Sequence, residues 1–155
     1  MFLNLKFVKP TVADISIMQN IIAPHVEEGI ILYRSENEIA NTIRSYTLAV
    51  LDEEVVGFAA LHIYSTKLAE VRMLAVKKEF QKKGIGYKLV EKLLEEGKKL
   101  GLKRVLTLTY SESLFTKLGF KVIEKQEIPD HKVWEDCIKC KRFPICKEIA
   151  LVIDL

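Results

Sequence analysis

Gln81-Lys82-Lys83-Gly84-Ile85-Gly86 decides how the rest of the chain is read. A strand-like apolar run, Val71 to Val76, leads into it, and a long amphipathic pattern follows. Gly84 and Gly86 let the backbone bend tightly and bring its N–H groups close to a ligand with no Cβ in the way. A helix opening here turns its free N–H groups and the positive end of its dipole toward the same spot. Lys82 and Lys83 add two formal charges. Strand, glycine loop and helix N-terminus together make an anion seat suited to a pyrophosphate.

The dinucleotide fingerprint G-x-G-x-x-G is not met here, nor is the NTPase loop G-x-x-x-x-G-K-[ST], since Leu89 follows Lys88. What stands here is Q-x-x-G-x-G after a strand ending Leu74-Ala75-Val76. That arrangement resembles the coenzyme-A signature of the GNAT superfamily of N-acetyltransferases. The resemblance implies acetyl-CoA as cosubstrate, with its pyrophosphate on the amides of Gln81, Lys82, Lys83, Gly84, Ile85 and Gly86. It also implies that Leu74, Ala75 and Val76 hold the pantetheine arm. A plain glycine turn between strand and helix is the alternative.

With 155 residues the chain is expected to form one domain with a single well-buried core. An apolar share of 49% and a charged share of 29% belong to an ordinary globular protein. Met1 to Phe7 is too short an apolar run for a secretory leader, and no stretch approaches the ~20 apolar residues of a membrane span. A cytoplasmic protein is therefore expected. The net charge of +3 is mild and the lysines are scattered, which argues against a nucleic-acid partner. Three cysteines, an odd number, do not suit a disulfide scaffold.

Period-2 alternation predicts a strand over Leu3 to Val8, stopped by Pro10. Thr11 and Asp14 form a capping pair for a helix whose face is Ile15, Met18 and Ile22, ending at Pro24. Residues 25–33 read as a loop around Gly29. Ser35 with Glu38 caps a second helix, with Ile39 and Ile43 inward. Tyr46 to Leu51 and Val55 to Ile63 form a hairpin through Asp52-Glu53-Glu54, with Gly57 read as a bulge. Lys67 to Val76 is the strand that enters the glycine loop. The helix from Gly84 sets Leu89, Val90, Leu93, Leu94, Gly97 and Leu100 at helical spacing, with lysines and glutamates on the other side, and stops at Gly101. Val105 to Thr109 is a strand, Ser111 to Leu118 a short helix, Phe120 to Glu127 a strand, and Glu148 to Ile153 a last strand after an irregular Pro129 to Pro144.

The order β-α-α-β-β-β-α-β-α-β-loop-β matches the GNAT layout end to end. The expected fold is therefore α/β: a mixed, mostly antiparallel central sheet flanked by helices, in a single domain over residues 1–155. Sheet order does not follow from periodicity.

Acetyl transfer to an amine needs a neutral amine, an oxyanion stabiliser and a proton for the departing thiolate. Leu114-Phe115-Thr116-Lys117-Leu118-Gly119-Phe120 looks like the family's F-Y-x-K-x-G-F segment, with Phe115 where tyrosine is commonest. A phenyl ring cannot protonate a thiolate. By the same resemblance the backbone N–H of Leu74 is the oxyanion donor. Glu70, flanked by Ala69 and Val71, is the candidate base, because desolvation raises a carboxyl pKa. An ion pair with Arg72, on the same strand face, is the competing reading. Ser111 is either a proton relay or the N-cap of its helix, and Tyr110 is the other nearby hydroxyl.

Glu27-Glu28-Gly29-Ile30-Ile31-Leu32-Tyr33-Arg34-Ser35 is similar to the E-x-G-x-L-x-x-R-[ST] loop of N-acetylglutamate synthases of the short form, as are Leu61-His62 and the Ala69-Glu70 strand. This implies that Arg34 grips a carboxylate, a task its planar fork suits. A solvated arginine at the start of a helix is the alternative. The implied acceptor is L-glutamate, a small amino acid, and the implied setting is arginine biosynthesis. A protein amine, a polyamine, an antibiotic, or a non-catalytic acetyl-CoA-binding module remain the other readings. Cys137, Cys140 and Cys146, with His131 upstream, have ligand types for zinc, but reduced cysteines in a substrate-side loop are the favoured reading and metal residues stay unassigned. Arg142 or Lys147 is a candidate for a second acceptor contact. Oligomeric state is open, a homodimer included.

Overall fold

The computed structural model describes residues 4–128 and 148–155. Among these residues seven strands form one sheet: β1 (Leu5–Val8), β2 (Tyr46–Leu51), β3 (Glu54–Ile63), β4 (Leu68–Val76), β5 (Arg104–Thr109), β6 (Lys121–Ile123) and β7 (Ile149–Asp154). Their spatial order is β1-β2-β3-β4-β5-β7-β6. Only β4 and β5 run parallel; every other pair is antiparallel. The described helices are α1 (Ile15–Glu27), α2 (Glu36–Asn41), α3 (Ile85–Leu100) and α4 (Glu112–Lys117), and with the sheet they make an α/β fold.

Side-chain alternation along the strands gives the sheet two apolar faces. Ile15, Met18, Ile21 and Ile22 of α1 pack with Ile39 of α2 against Leu48, Phe58 and Ala60. On the opposite face Val90, Leu93 and Leu94 of α3 meet Leu61, Ala69, Val71 and Val105, and α4 adds Phe115. Both predicted capping boxes form, Thr11 with Asp14 and Ser35 with Glu38. The β2–β3 hairpin turns through Asp52 (φ 48°) and Glu53 (φ 68°), the left-handed pair that a two-residue turn between twisted strands requires. Gly57 sits beside the bulge in β3, opposite Ala49. A Cβ there would lie 2.8 Å from the carbonyl oxygen of Ala75, so the strand contact depends on its absence.

Two sequence expectations are corrected. Pro24 does not end α1, which continues to Glu27. Proline removes only its own N–H, its carbonyl still accepts from Glu28 N (3.1 Å), and Val26 gains packing against the α1–α2 core. The chain then folds back, with the N–H groups of Ile30 and Ile31 both donating to the carbonyl of His25. The strand predicted over Phe120 to Glu127 is short: β6 covers Lys121–Ile123, and Lys125–Glu127 forms a single 3-10 turn. Glu124 and Glu127 satisfy that turn reciprocally in a capping box, a local bonding pattern that outcompetes extension of the edge strand. Residues 129–147, with the expected irregular segment, lie outside the described residues.

Two irregularities position the site. The β4–β5 pairing runs from Leu68↔Arg104 to Val71↔Thr107 and no further, and β4 continues for five residues beyond it. The Thr107 hydroxyl, 2% exposed, donates to the carbonyl of Val71 at 3.2 Å, at the last paired position. Beyond that clasp the two parallel strands part. In β4 the register to β3 also slips, so that Met73 and Leu74 together face Ala59. Met73 has φ 57°, the left-handed conformation of a bulged residue.

Candidate active site

A cleft of about 1230 Å³ opens where β4 and β5 diverge. Leu74 and Val76 form one wall, with Gln81, Lys82, Gly84, Ile85 and Gly86 at one end. Thr109, Tyr110 and Ser111, at the end of β5, form the other wall. Glu70 lines it near the start of β4, away from the glycine loop that follows the end of that strand, and Arg34, which also lines it, acts on Glu70 through its charge. Two expected cofactor residues do not line it. Ala75 is 1% exposed and turned into the α1–α2 core, while the Lys83 ammonium lies 5.8 Å from the centre of the Phe80 ring.

The glycine loop is built for close approach. Lys82 (φ 63°) and Gly84 (φ 87°) are both left-handed, and Gly84 is the N-cap residue of α3. The Gln81 side-chain amide donates to the carbonyl of Val76 at 3.0 Å, latching the loop to the end of β4. A Cβ on Gly84 would meet no protein atom within 4 Å, so the space above it is open to a ligand. Successive N–H groups at a helix N-terminus with adjacent lysines attract phosphate oxygens.

At the other end the electrostatics concern Glu70, which is 8% exposed. Burial pushes its carboxyl above the ordinary range. The Arg72 charge, a hydrogen bond from Tyr64 and the Arg34 charge pull it back, Glu148 adds to the rise, and burial wins. The Tyr64 hydroxyl donates to Glu70 Oε1 at 2.5 Å. His62 stands directly across the β3–β4 ladder from Glu70, and its ring meets that of Tyr64 edge-on at 4.8 Å. Desolvation, with the positive charges of Arg72 and Arg34, lowers the His62 pKa from 6.5 to about 4. It is therefore a neutral imidazole near pH 7.

Arg34 is not a solvated arginine. Its side chain is 15% exposed, reaches Glu38 at 3.9 Å, and lines the cleft. Its backbone is pinned to α1 by Gln19, whose amide donates to the Arg34 carbonyl at 3.3 Å. Arg72 lines the same cleft, so two guanidinium groups flank the buried carboxyl. Ser111 occupies the N-cap position of α4 but its hydroxyl makes no capping bond, and it is exposed at the cleft wall. Phe115, in the place where the family commonly has tyrosine, is 1% exposed and packs edge-on against Phe120 at 5.1 Å.

The acetyltransferase (GNAT) family profile matches residues 16–120. The chain belongs to the GNAT family. A protein of Chlorobaculum tepidum, described as an uncharacterized N-acetyltransferase, is 41% identical over 140 residues and 90% of each chain. An amino-acid acetyltransferase of Aeromonas salmonicida is 31% identical over 121 residues. That match covers 77% of this chain but only 27% of the relative, so this GNAT domain spans about a quarter of the length of such enzymes. In fold the chain is similar to the N-acetylglutamate synthase from Neisseria gonorrhoeae complexed with coenzyme A and N-acetyl-glutamate. The TM-score is 0.86 at 24% identity, covering 97% of this chain and 35% of that one. The protein is thus a GNAT acyltransferase that uses acetyl-CoA, related to the amino-acid acetyltransferases.

Sequence pattern alone gives Tyr64 and His62 no place beside Glu70 and gives Arg72 only that of an ion-pair partner. A signal was available for each. Period 2 sets Glu70 and Arg72 on one face, and a hairpin closing at Ile63↔Ala69 necessarily sets His62 opposite Glu70. The Met73 bulge had no such signal, since a methionine in the left-handed region leaves no mark on composition. Among the described residues no His, Cys, Asp and Glu group is arranged to hold a metal; Cys137, Cys140, Cys146, His131, Arg142 and Lys147 lie outside them. No described helix is long and apolar enough to cross a membrane.

Proposed function

We propose that this GNAT enzyme transfers the acetyl group of acetyl-CoA to the amine of L-glutamate. One observation carries the reading: two guanidinium groups, Arg34 and Arg72, flank a buried carboxyl in the cleft that also contains the glycine loop. An acceptor with carboxylates meets those cations, and its amine meets Glu70. A cationic polyamine would be repelled by the same pair.

In this reading the pyrophosphate rests on the amides from Gln81 to Gly86 and the thioester arm lies along Leu74 to Val76. Glu70 takes a proton from the ammonium of the acceptor, and the neutral nitrogen attacks the acetyl carbonyl carbon. As the C–N bond forms, negative charge gathers on the carbonyl oxygen, and the N–H of Leu74 at the β4 bulge is the donor for it. The C–S bond then breaks as the carbonyl re-forms, and the second proton leaving the acceptor nitrogen passes through the Ser111 hydroxyl to the thiolate. A raised carboxyl pKa suits a base, because it narrows the gap to the amine. The resemblance of residues 27–35 to the N-acetylglutamate synthase loop supports the choice of glutamate, and with it arginine biosynthesis in the cytoplasm.

The test is release of CoA from acetyl-CoA with a panel of L-glutamate, L-glutamine, L-aspartate, L-lysine and spermidine. Turnover is expected with glutamate and not with spermidine. Turnover of spermidine or peptides with glutamate left untouched would overturn the assignment.

A further inference from the structure

We propose that Tyr64 is a positioning residue for Glu70: its phenol holds Oε1 and leaves Oε2 as the oxygen that receives the acceptor's proton. The inference rests on the reading of Glu70 as the base. Three observations beyond that reading carry it.

The first is the bond itself, 2.5 Å from the Tyr64 hydroxyl to Oε1, joining the β3–β4 turn to Glu70 near the start of β4. Glu70 is one of only three buried polar or charged residues among those described, with Thr47 and Thr107. A buried carboxyl is strongly committed to whichever donors it finds.

The second is that the phenol is held from several sides. Its ring packs into the apolar cluster of Leu68, Leu106, Ile128 and Ala150. The His62 ring meets it edge-on at 78°. The Tyr64 backbone N–H donates to the carbonyl of Leu68 at 2.9 Å, closing the turn. A hydroxyl fixed in this way does not reorganise when Glu70 changes charge, which is what a preorganised donor requires.

The third is the choice of partner. Among the described residues the charged and titratable groups facing Glu70 are Arg72 on β4, His62 on β3, Tyr64 in the turn, Arg34 ahead of α2 and Glu148 ahead of β7. His62, the residue directly opposite, stays neutral and contributes no charge. The full charges near Glu70 come from Arg72 and Arg34, and the phenol adds to them a directed hydrogen bond on one oxygen and no further charge. The burial that raises the Glu70 pKa is thereby opposed but not cancelled.

The experiment compares kcat/KM against pH for wild-type protein, Tyr64→Phe, a form with fluorinated tyrosine at position 64, and Glu70→Gln. Tyr64→Phe removes a donor to the carboxylate, so the acidic limb should move to higher pH by about one unit. KM for acetyl-CoA should be unchanged. The fluorinated ring is a more acidic phenol of nearly the same shape, so it should move the limb the other way. That arm decides the matter if Tyr64→Phe folds poorly. A limb that stays put in the folded variants, even with kcat reduced, overturns the role of Tyr64 and leaves Glu70 as the base. If Glu70→Gln keeps the wild-type limb and kcat, the reading of Glu70 itself has failed, and the role of Tyr64 falls with it.

Discussion

Arg34 and Glu70 sit in one cleft yet should fail differently when changed. Arg34→Ala removes a charge-assisted contact to a carboxylate, at about 1.5–3 kcal/mol, or roughly ten- to a hundredfold in kcat/KM for glutamate. Acetyl-CoA affinity should hardly move, because Arg34 belongs neither to the glycine loop nor to the β4 strand that leads into it. Arg34→Lys should restore only part, since an ammonium lacks the bidentate fork. Steady-state kinetics with each substrate varied in turn checks both expectations. Equal losses for glutamate and acetyl-CoA would mean that Arg34 holds the structure and not the acceptor. His62 offers a test of stability. The folded protein disfavours its imidazolium, so as pH falls the unfolded chain takes up the proton first. The stability it contributes is complete above pH 6.5 and drains away between there and about 4. Glu70 works in the opposite direction, since its raised pKa adds stability as the acid form appears. The difference in melting temperature between wild type and His62→Gln, followed from pH 7 to 4, isolates the histidine contribution. Parallel pH profiles for the two proteins would contradict it.

Among the elements, the turn from β4 into α3 tests the cofactor reading. Gly84 has φ 87°, and a Cβ at this position would have no protein atom within 4 Å. The intolerance expected of a substitution therefore comes from backbone strain and from the ligand. Gly84→Asp should fold, with about 1 kcal/mol of strain, yet lose most of its acetyl-CoA affinity through added bulk and negative charge. Calorimetric titration checks this, and unchanged affinity in the folded variant would move the pyrophosphate elsewhere. This turn was legible in advance because glycine spacing and a following amphipathic run are local signals. The end of α1 was not. Pro24 reads as a stop, and the packing of Val26 that carries the helix onward is a long-range contact. The short β6 has the same origin, since the choice between edge strand and capped turn at residues 124–127 depends on a reciprocal bond that spacing alone does not rank above extension.

In the whole molecule, the order of elements followed from periodicity and punctuation, whereas the placement of β7 between β5 and β6 did not. Strands that pair far apart in sequence leave no trace in local pattern. The same holds for the site. The proposed cofactor half is contiguous, so Gln81 to Gly86 could be read as one motif. The proposed acceptor half is assembled from Arg34, His62, Tyr64, Glu70 and Glu148, which only the β3–β4 register and the arrival of β7 bring together. The roles proposed for Arg34 and for the Leu74 N–H come from resemblance, while the Tyr64–Glu70 bond emerged only with the three-dimensional structure.

The parting of β4 from β5 beyond the Thr107 clasp has a consequence for isotope labelling. Past Val71 the amides of β4 that point away from β3 have lost the neighbouring strand, although they lie in the middle of the sheet. Protons on such amides trade with solvent deuterium far sooner than those of a closed ladder. Peptides spanning residues 72–76 should thus label quickly in the free protein, unusually for an interior strand, and slow down when CoA is added. Peptides from β2, sealed between β1 and β3, should label slowly with or without it. Equal rates for the two strands would mean that the sheet closes in solution, and that the ligand must first prise it apart.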